Sequence, residues 1–266
     1  MDDDKITLKA DMHLHTHEDP TDHAYVRYSA FELIDILERH GFNVFSITLH
    51  DYMYDEVMMQ KVRAYAKDKG MLYIPGIEKT VQKNHILLYN MRKDDAEKID
   101  TYEKLKETLS RYDSQDSDIS EKILVIASHP FFPSPTAIGR RFHRHHALLH
   151  GLEYNSFYLS FINFNNKGYR QAKKRNKVMI GNTDAHYLEQ IGNTFTKITM
   201  PAHALSNKED IHDAKDFKKF LQECSEERYD HINKAVIRYI KRGDVKIVTR
   251  PLKPSYVAKT LRKLAF

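Results

Sequence analysis

Five apolar, strand-like runs of this 266-residue chain each give out on a histidine or an acid. His13-Leu14-His15 closes the run from Ile6 to Met12, His50 follows Val44 to Leu49, and Glu78 follows Leu72 to Ile77. His129 follows Ile123 to Ser128, and Asp184 with His186 follows Val178 to Asn182. A polar group at one strand end has many explanations. Seven of them at five strand ends point to a fold whose parallel strands deliver their carboxyl ends to one face, as in a (β/α) barrel. Residues i and i+2 of an extended segment face the same way, so His13 with His15, and Asp184 with His186, each aim two ligand atoms at one point. His85 opens its own run instead, and reaches the same place only if the chain makes a tight return after Glu78.

The metal chemistry open to such a cluster is narrow. The chain has one cysteine, Cys224, which excludes an internal disulfide framework and Cys-rich zinc or iron–sulfur sites, so an ion must be held by imidazole and carboxylate. That ligand set suits Mn, Zn or Fe better than Ca or Mg, which prefer all-oxygen shells. His40, His203, His212 and His231 have polar neighbours in helical or loop stretches and read as surface residues; His143, His145 and His146 stay open. No apolar run approaches the roughly 20 residues that cross a bilayer, and the amino terminus has no secretory pattern, so the expectation is a cytoplasmic protein without a membrane partner.

Short β-branched runs alternate with helical stretches, the pattern of an α/β fold with a mostly parallel sheet. Ser29-Ala-Phe-Glu32 followed by Leu33, Ile34 and Leu37 predicts a capped helix over 30–40. Helices are expected over 55–69 and 101–112, and strands over 44–48, 71–75, 85–89, 123–127, 152–154, 178–180 and 195–199. Residues 113–120 (DSQDSDIS) have the composition of a surface loop. Residues 1–205 are read as the barrel, and 206–266 as a helical, basic extension packed on the same domain with a short strand near 245–248. The net charge of +5 is uneven: His231 to Phe266 carries ten Lys/Arg against one acid. A basic tail of this kind can meet a polyanion, although His231–Lys241 reads first as an amphipathic helix with a solvated basic face. The acidic run Asp2 to Asp4 reads as a solvated end.

Taken together, Asp11-Met-His13-Leu-His15-Thr16, Ile47-Thr-Leu-His50-Asp51, Pro75-Gly-Ile-Glu78, His85-Ile-Leu, Ala127-Ser-His129-Pro130, Gly151-Leu-Glu153-Tyr-Asn155 and Gly181-Asn-Thr-Asp184-Ala-His186 resemble the polymerase and histidinol phosphatase (PHP) domain family. The resemblance implies a distorted (β/α)7 TIM-like barrel of the PHP type with two or three divalent metal ions. It implies one ion held by His13, His15, Glu78 and Asp184, a second by Glu78, His85 and His129, and a third by His50 and His186. For the remaining ligand of the third, Asp19, Asp22 and His23 compete, Asp22 being preferred and His23 next. The chain departs from the family at Thr48-Leu-His50, where an Asp commonly precedes the His; Asp51 could replace it.

These residues suit hydrolysis of a phosphomonoester or small phosphodiester by a metal-bridging hydroxide. Glu78, Asp184 and His186 would be catalytic, and Arg140, Arg141 and Asn155 would bind substrate, the arginines because a guanidinium fork matches phosphate geometry. The alternative on the same cluster is a 5′ to 3′ exonuclease or nucleotidase acting on RNA or DNA oligonucleotides. An amidohydrolase-type barrel fits less well, since that class usually bridges its metals with a modified lysine. A non-catalytic metal-bound module fits less well than either.

Overall fold

A computed structural model describes residues 5–156, 163–206 and 211–250. Among these residues the strands are, in chain order, β1 (Lys5–Leu14), β2 (Val44–Ile47), β3 (Leu72–Tyr73), β4 (Gly76–Val81), β5 (Asn84–Tyr89), β6 (Leu124–Ala127), β7 (Gly151–Tyr154), β8 (Val178–Gly181), β9 (Thr194–Pro201) and β10 (Val245–Thr249). The helices are α1 (Ala30–Arg39), α2 (Glu56–Asp68), α3 (Lys93–Ala96), α4 (Tyr102–Gln115), α5 (Ser117–Lys122), α6 (Phe142–His145), α7 (Asn165–Lys174), α8 (Ala214–Glu223) and α9 (Glu226–Arg242). No helix among the described residues is long and apolar enough to cross a membrane.

The strands make two five-stranded sheets, ordered β10-β9-β1-β2-β3 and β4-β5-β6-β7-β8. The ladders trace two sheets and not one continuous ring, so the architecture is a mixed α/β fold. The mostly parallel sheet expected from the alternating pattern is corrected to an even mixture. β1–β2, β2–β3, β6–β7 and β7–β8 are parallel, whereas β9 runs antiparallel to β1 and β10, and β5 to β4 and β6. A hairpin causes the reversal at β4–β5. Gln82 and Lys83, with φ of 46° and 73°, form its two-residue turn, and positive φ at both positions is what matches the twist of paired strands. Two isolated parallel bridges, Leu14 to Ala185 and His50 to Glu78, join the sheets.

Both sheets contribute to one core. Leu8, Met12, Val44 and Leu72 cluster with Leu87, Tyr89, Ile126 and Ile180, and α8 and α9 add Phe217, Leu221, Tyr229, Ile232, Val236 and Ile240. Each such side chain stabilises the fold by roughly 1.5–3 kcal/mol relative to exposure. The expected helix over 30–40 is present with its capping box: Ser29 accepts from Glu32 N, and Glu32 accepts from Ser29 N. The described part of 206–266 is α8, α9 and β10, with β10 paired to β9; residues 251–266 and the acidic run Asp2 to Asp4 lie outside the described residues.

Two local expectations are corrected. Residues 113–120 complete α4 and begin α5, because Asp116 caps the second helix by accepting from Ile119 N at 3.1 Å. That helix then occupies part of the basic face of α9. Lys234 lies 2.5 Å from Glu121, and Lys241 Nζ donates to the Ser120 and Glu121 carbonyls. The face expected to be solvated is therefore partly neutralised within the fold.

His150 is fixed in a way that makes stability depend on pH. Its backbone N–H donates to Val125 O at 2.8 Å, and its Nδ1 accepts the Val125 N–H at 3.0 Å, which requires a neutral ring. Burial, then Lys241 and Lys177, hold its pKa down to about 3. The unfolded chain takes up a proton near pH 6.5 and the native chain does not, so the contribution is full at neutral pH and is lost as pH falls from about 6.5 toward 3. Melting curves between pH 7 and 4.5 should show this loss, at up to about 1.4 kcal/mol per unit. His150→Gln, which keeps an acceptor for Val125, should show a shallower slope; equal slopes would refute the assignment.

Candidate metal centre

The site is assembled where the two sheets are bridged. His13 is in β1 and His15 just beyond it, His50 follows β2, His129 follows β6, and Asp184 and His186 follow β8. Glu78 is not at a strand end: it sits inside β4, and the β4–β5 hairpin carries His85 back beside it, with His85 Nδ1 2.9 Å from Glu78 Oε1. His129 and Asp184 have φ of 27° and 52°, left-handed conformations that cost a non-glycine residue about 1–3 kcal/mol. Both are pinned, the His129 N–H donating to Glu153 Oε2 and the Asp184 N–H to His13 O.

Three groups of ligand atoms lie close enough to share an ion: His13, His15, Glu78 and Asp184; His15, Asp19, Asp22 and His50; and His50, Glu78 and His85. Glu78, His15 and His50 each belong to two groups. His129 Nε2 lies 3.3 Å from Glu78 Oε1, and His186 Nε2 lies 2.7 Å from Asp22 Oδ2. Asp19, one of the three competitors for the last position, is the most deeply engaged of them. It accepts from His15 Nδ1 at 2.7 Å, from His50 Nδ1 and His50 N at 3.0 Å, and from the Thr21 and Asp22 amides. His23 is not brought in: it is exposed, and its ring meets the Pro20 carbonyl.

The donor set fits cations. His13 Nδ1–H donates to Glu153 Oε1 and His15 Nδ1–H to Asp19 Oδ2, which leaves the Nε2 lone pair of each ring directed inward. Those two nitrogens are 3.1 Å apart, and each lies within 3.5 Å of Asp184 Oδ1 and Glu78 Oε2. Lone pairs and carboxylate oxygens converging in this way repel one another unless protons or a metal ion lie between them. Burial opposes charge throughout, yet His13, His85 and His50 hold Glu78 well below the usual carboxylate range, and Glu78 with Asp19 raises His50 to about 11. Protons on these imidazoles are what a divalent ion would displace.

The cluster opens into a cleft of about 370 Å³ walled by Asp22, His50, Glu78, His85, His129, Asp184 and His186, with Phe132, Ser134, Thr136 and Tyr187 at its rim. Arg140 and Arg141 do not line it. Both are exposed, and Arg141 Nη1 donates to Gln82 O and Asn84 Oδ1. Asn155 is buried and is not among the residues lining the cleft, its backbone bonded to the Asn165 side chain. The sequence singles out Glu153 only as part of a motif and gives it no role; its carboxylate receives His13 Nδ1, Asn182 Nδ2 and the His129 amide. An acid inside the apolar run that ends β7 was the available signal.

A PHP-associated family (PHP_C) matches residues 163–219. No curated protein matches the chain. Among solved structures, PsfC from Pseudomonas syringae PB-5123 is similar over 98% of both chains at 12% identity, with a TM-score of 0.57, which shows a shared fold. An amidohydrolase from Chromobacterium violaceum is 14% identical over 66% of this chain and 87% of its own, at a TM-score of 0.47. A proposed metal-dependent phosphoesterase from Bifidobacterium adolescentis is 13% identical over 67% of this chain and 87% of its own, at 0.45.

Proposed function

Because the chain is a PHP-domain family protein, we propose that it is a metal-dependent hydrolase whose substrate is a phosphomonoester or a small phosphodiester. The observation that supports this most is the sharing of Glu78, His15 and His50 between adjacent ligand groups, which suits two or three ions side by side. His13, His15, Glu78 and Asp184 would hold one; Glu78, His85 and His129, with His50 beside them, a second; and His50, Asp22 and His186, with Asp19 behind, a third. Bound divalent ions supply a nucleophile at neutral pH and offset the charge that grows on the phosphoryl oxygens. We also read the two bridged sheets as the halves of a distorted (β/α)7-like barrel.

The chain's own residues supply the rest. Glu153 and Asp19 hold the His13 and His15 rings in the tautomer that presents Nε2 to the centre. With the third ion absent, His186, whose Nε2 lies 2.7 Å from Asp22 on the cleft wall, would hand a proton to the departing alcohol oxygen; with that ion bound, the proton would come from water. A cleft of about 370 Å³ is at the small end of ligand sites, in keeping with a compact phosphoester. Exonuclease or nucleotidase chemistry at the same cluster differs in its products. Mn-loaded protein should therefore be incubated with small phosphomonoesters and a 5′-phosphorylated oligonucleotide, with His13→Ala as the blank. Inorganic phosphate released by the wild type and not by the variant is the expected result. Mononucleotides alone would replace it with the nuclease reading, and no product from either would overturn the hydrolase.

A further inference from the structure

Positive charge left free by the fold is also found outside the sequence's basic tail. From Ile123 to Thr183 the chain carries nine Lys/Arg and a single acid, Glu153, which is buried at the candidate metal centre. Elsewhere several cations are matched: Arg63, Lys69, Lys93, Lys122 and Lys234 each face a carboxylate. Among the described residues none of the nine does. The hydrogen bonds of this group go to neutral partners, Arg141 to the Gln82 carbonyl and Asn84 Oδ1, Arg175 to Gln171 and His143, and Lys177 to the Leu149 carbonyl. Burial, then Arg175 and Lys177, hold His146 below its ordinary value, as expected under an uncompensated positive field.

This charge is continuous with the cleft. Phe132 on the cleft rim meets Phe164 edge to face at 5.7 Å, and Lys167 of α7 lies over Phe131 at 4.9 Å. Gly168 faces the same loop: a Cβ there would sit at ordinary contact distance, 3.6 Å, from Pro130. The outward side of α7 then presents Lys167, Tyr169, Arg170, Lys173 and Lys174, with Phe164 39% and Tyr169 58% exposed. Cations interleaved with exposed rings suit a chain of phosphates whose bases are unpaired and free to stack.

We propose that the outer side of α7, continued by the loop that follows His129, is a docking face for single-stranded nucleic acid leading into the metal cleft. The phosphates would lie along Lys167, Arg170 and Lys174, with bases against Phe164 and Tyr169. That the strand is also a substrate rests on hydrolysis at the metal cluster in its exonuclease or nucleotidase form; that it binds does not. Duplexes and acidic proteins offer charge without free base faces, so Tyr169 separates them from a single strand.

The test is fluorescence anisotropy of a labelled, phosphorothioate 12-nucleotide strand with the Mn-loaded full chain over a salt series. Arg170→Ala/Lys174→Ala should weaken binding at least about 10-fold and flatten the log–log salt dependence by about 1.4, for two contacts to a single strand. Lys104→Ala/Lys106→Ala, an equal charge change on exposed positions of α4, should leave binding near wild type. Tyr169→Ala should weaken the single strand by about 10-fold and a duplex little. Unchanged melting temperatures show that the variants are folded. Equal losses for the two double variants, or a Tyr169→Ala effect no larger for the single strand than for the duplex, would overturn the proposal. If the strand binds as expected and no substrate is turned over, the docking face stands and the hydrolase reading fails.

Discussion

Glu78→Gln is expected to lower kcat/KM for a small phosphomonoester by more than about 100-fold, beyond the 10–100-fold typical of groups that only orient a ligand. Glu78 Oε2 lies within 3.5 Å of the Nε2 atoms of His13, His15 and His50, and Oε1 lies 2.9 Å from His85 Nδ1 and 3.3 Å from His129 Nε2. Glutamine keeps the volume, removes the charge and sets an NH2 group against imidazole nitrogens that present lone pairs. Two neighbouring ion sites lose their shared ligand at once. Because the substitution is nearly isosteric and relieves a buried charge, cooperative thermal unfolding should survive. Steady-state kinetics with metal analysis of the purified variant is the check. Wild-type turnover with wild-type metal content would contradict the assignment.

Glu153→Gln has the second largest expected effect, although Glu153 lies behind the ligands. Its partners are all donors: His13 Nδ1 at 2.8 Å, Asn182 Nδ2 at 2.9 Å, the His129 amide at 2.7 Å and the Ser128 hydroxyl at 3.5 Å. A glutamine oxygen can serve one side of this set, and its NH2 must then face donors on the other. Metal affinity should fall by about 10–100-fold, as His13 loses its fixed tautomer or His129 its strained backbone. Leaving a buried donor without a partner should also cost about 1–3 kcal/mol of stability. Metal titration by calorimetry and urea unfolding read the two effects separately, and wild-type values in both would show that Glu153 does not orient the site.

How far these features were legible in the sequence follows from whether the signal was local. His13, His15, His50, His129, Asp184 and His186 were readable because each closes an apolar run, and a strand end is defined by its own few residues. Glu78 was found by the same rule for a partly mistaken reason, since it lies inside β4. The hairpin that places His85 turns on Gln82-Lys83, which lack the Asn-Gly signature of such turns, so the antiparallel share of the second sheet was hidden. Helix α7 was hidden too: Asn-Asn-Lys-Gly-Tyr-Arg has no clear apolar stripe, and the residues the helix buries are only Asn165, Gly168 and Ala172. Partner choice among Asp19, Asp22 and His23 depends on the path of the loop after His15, which no spacing rule specifies. The arginines at 140 and 141 were chosen for their chemistry alone, and the short helical turns from 139 to 148 carry them away from the cleft.

Metal-dependent hydrolysis is tested most directly by phosphate release from protein stripped with chelator and then titrated with Mn, with bound ions counted by native mass spectrometry at each step. The expected result is no turnover in the stripped protein, activity that rises with the second ion bound, and a final content of two or three ions per chain. Full activity in protein shown to be free of metal, or ions bound at the cluster without any hydrolysis, would contradict it.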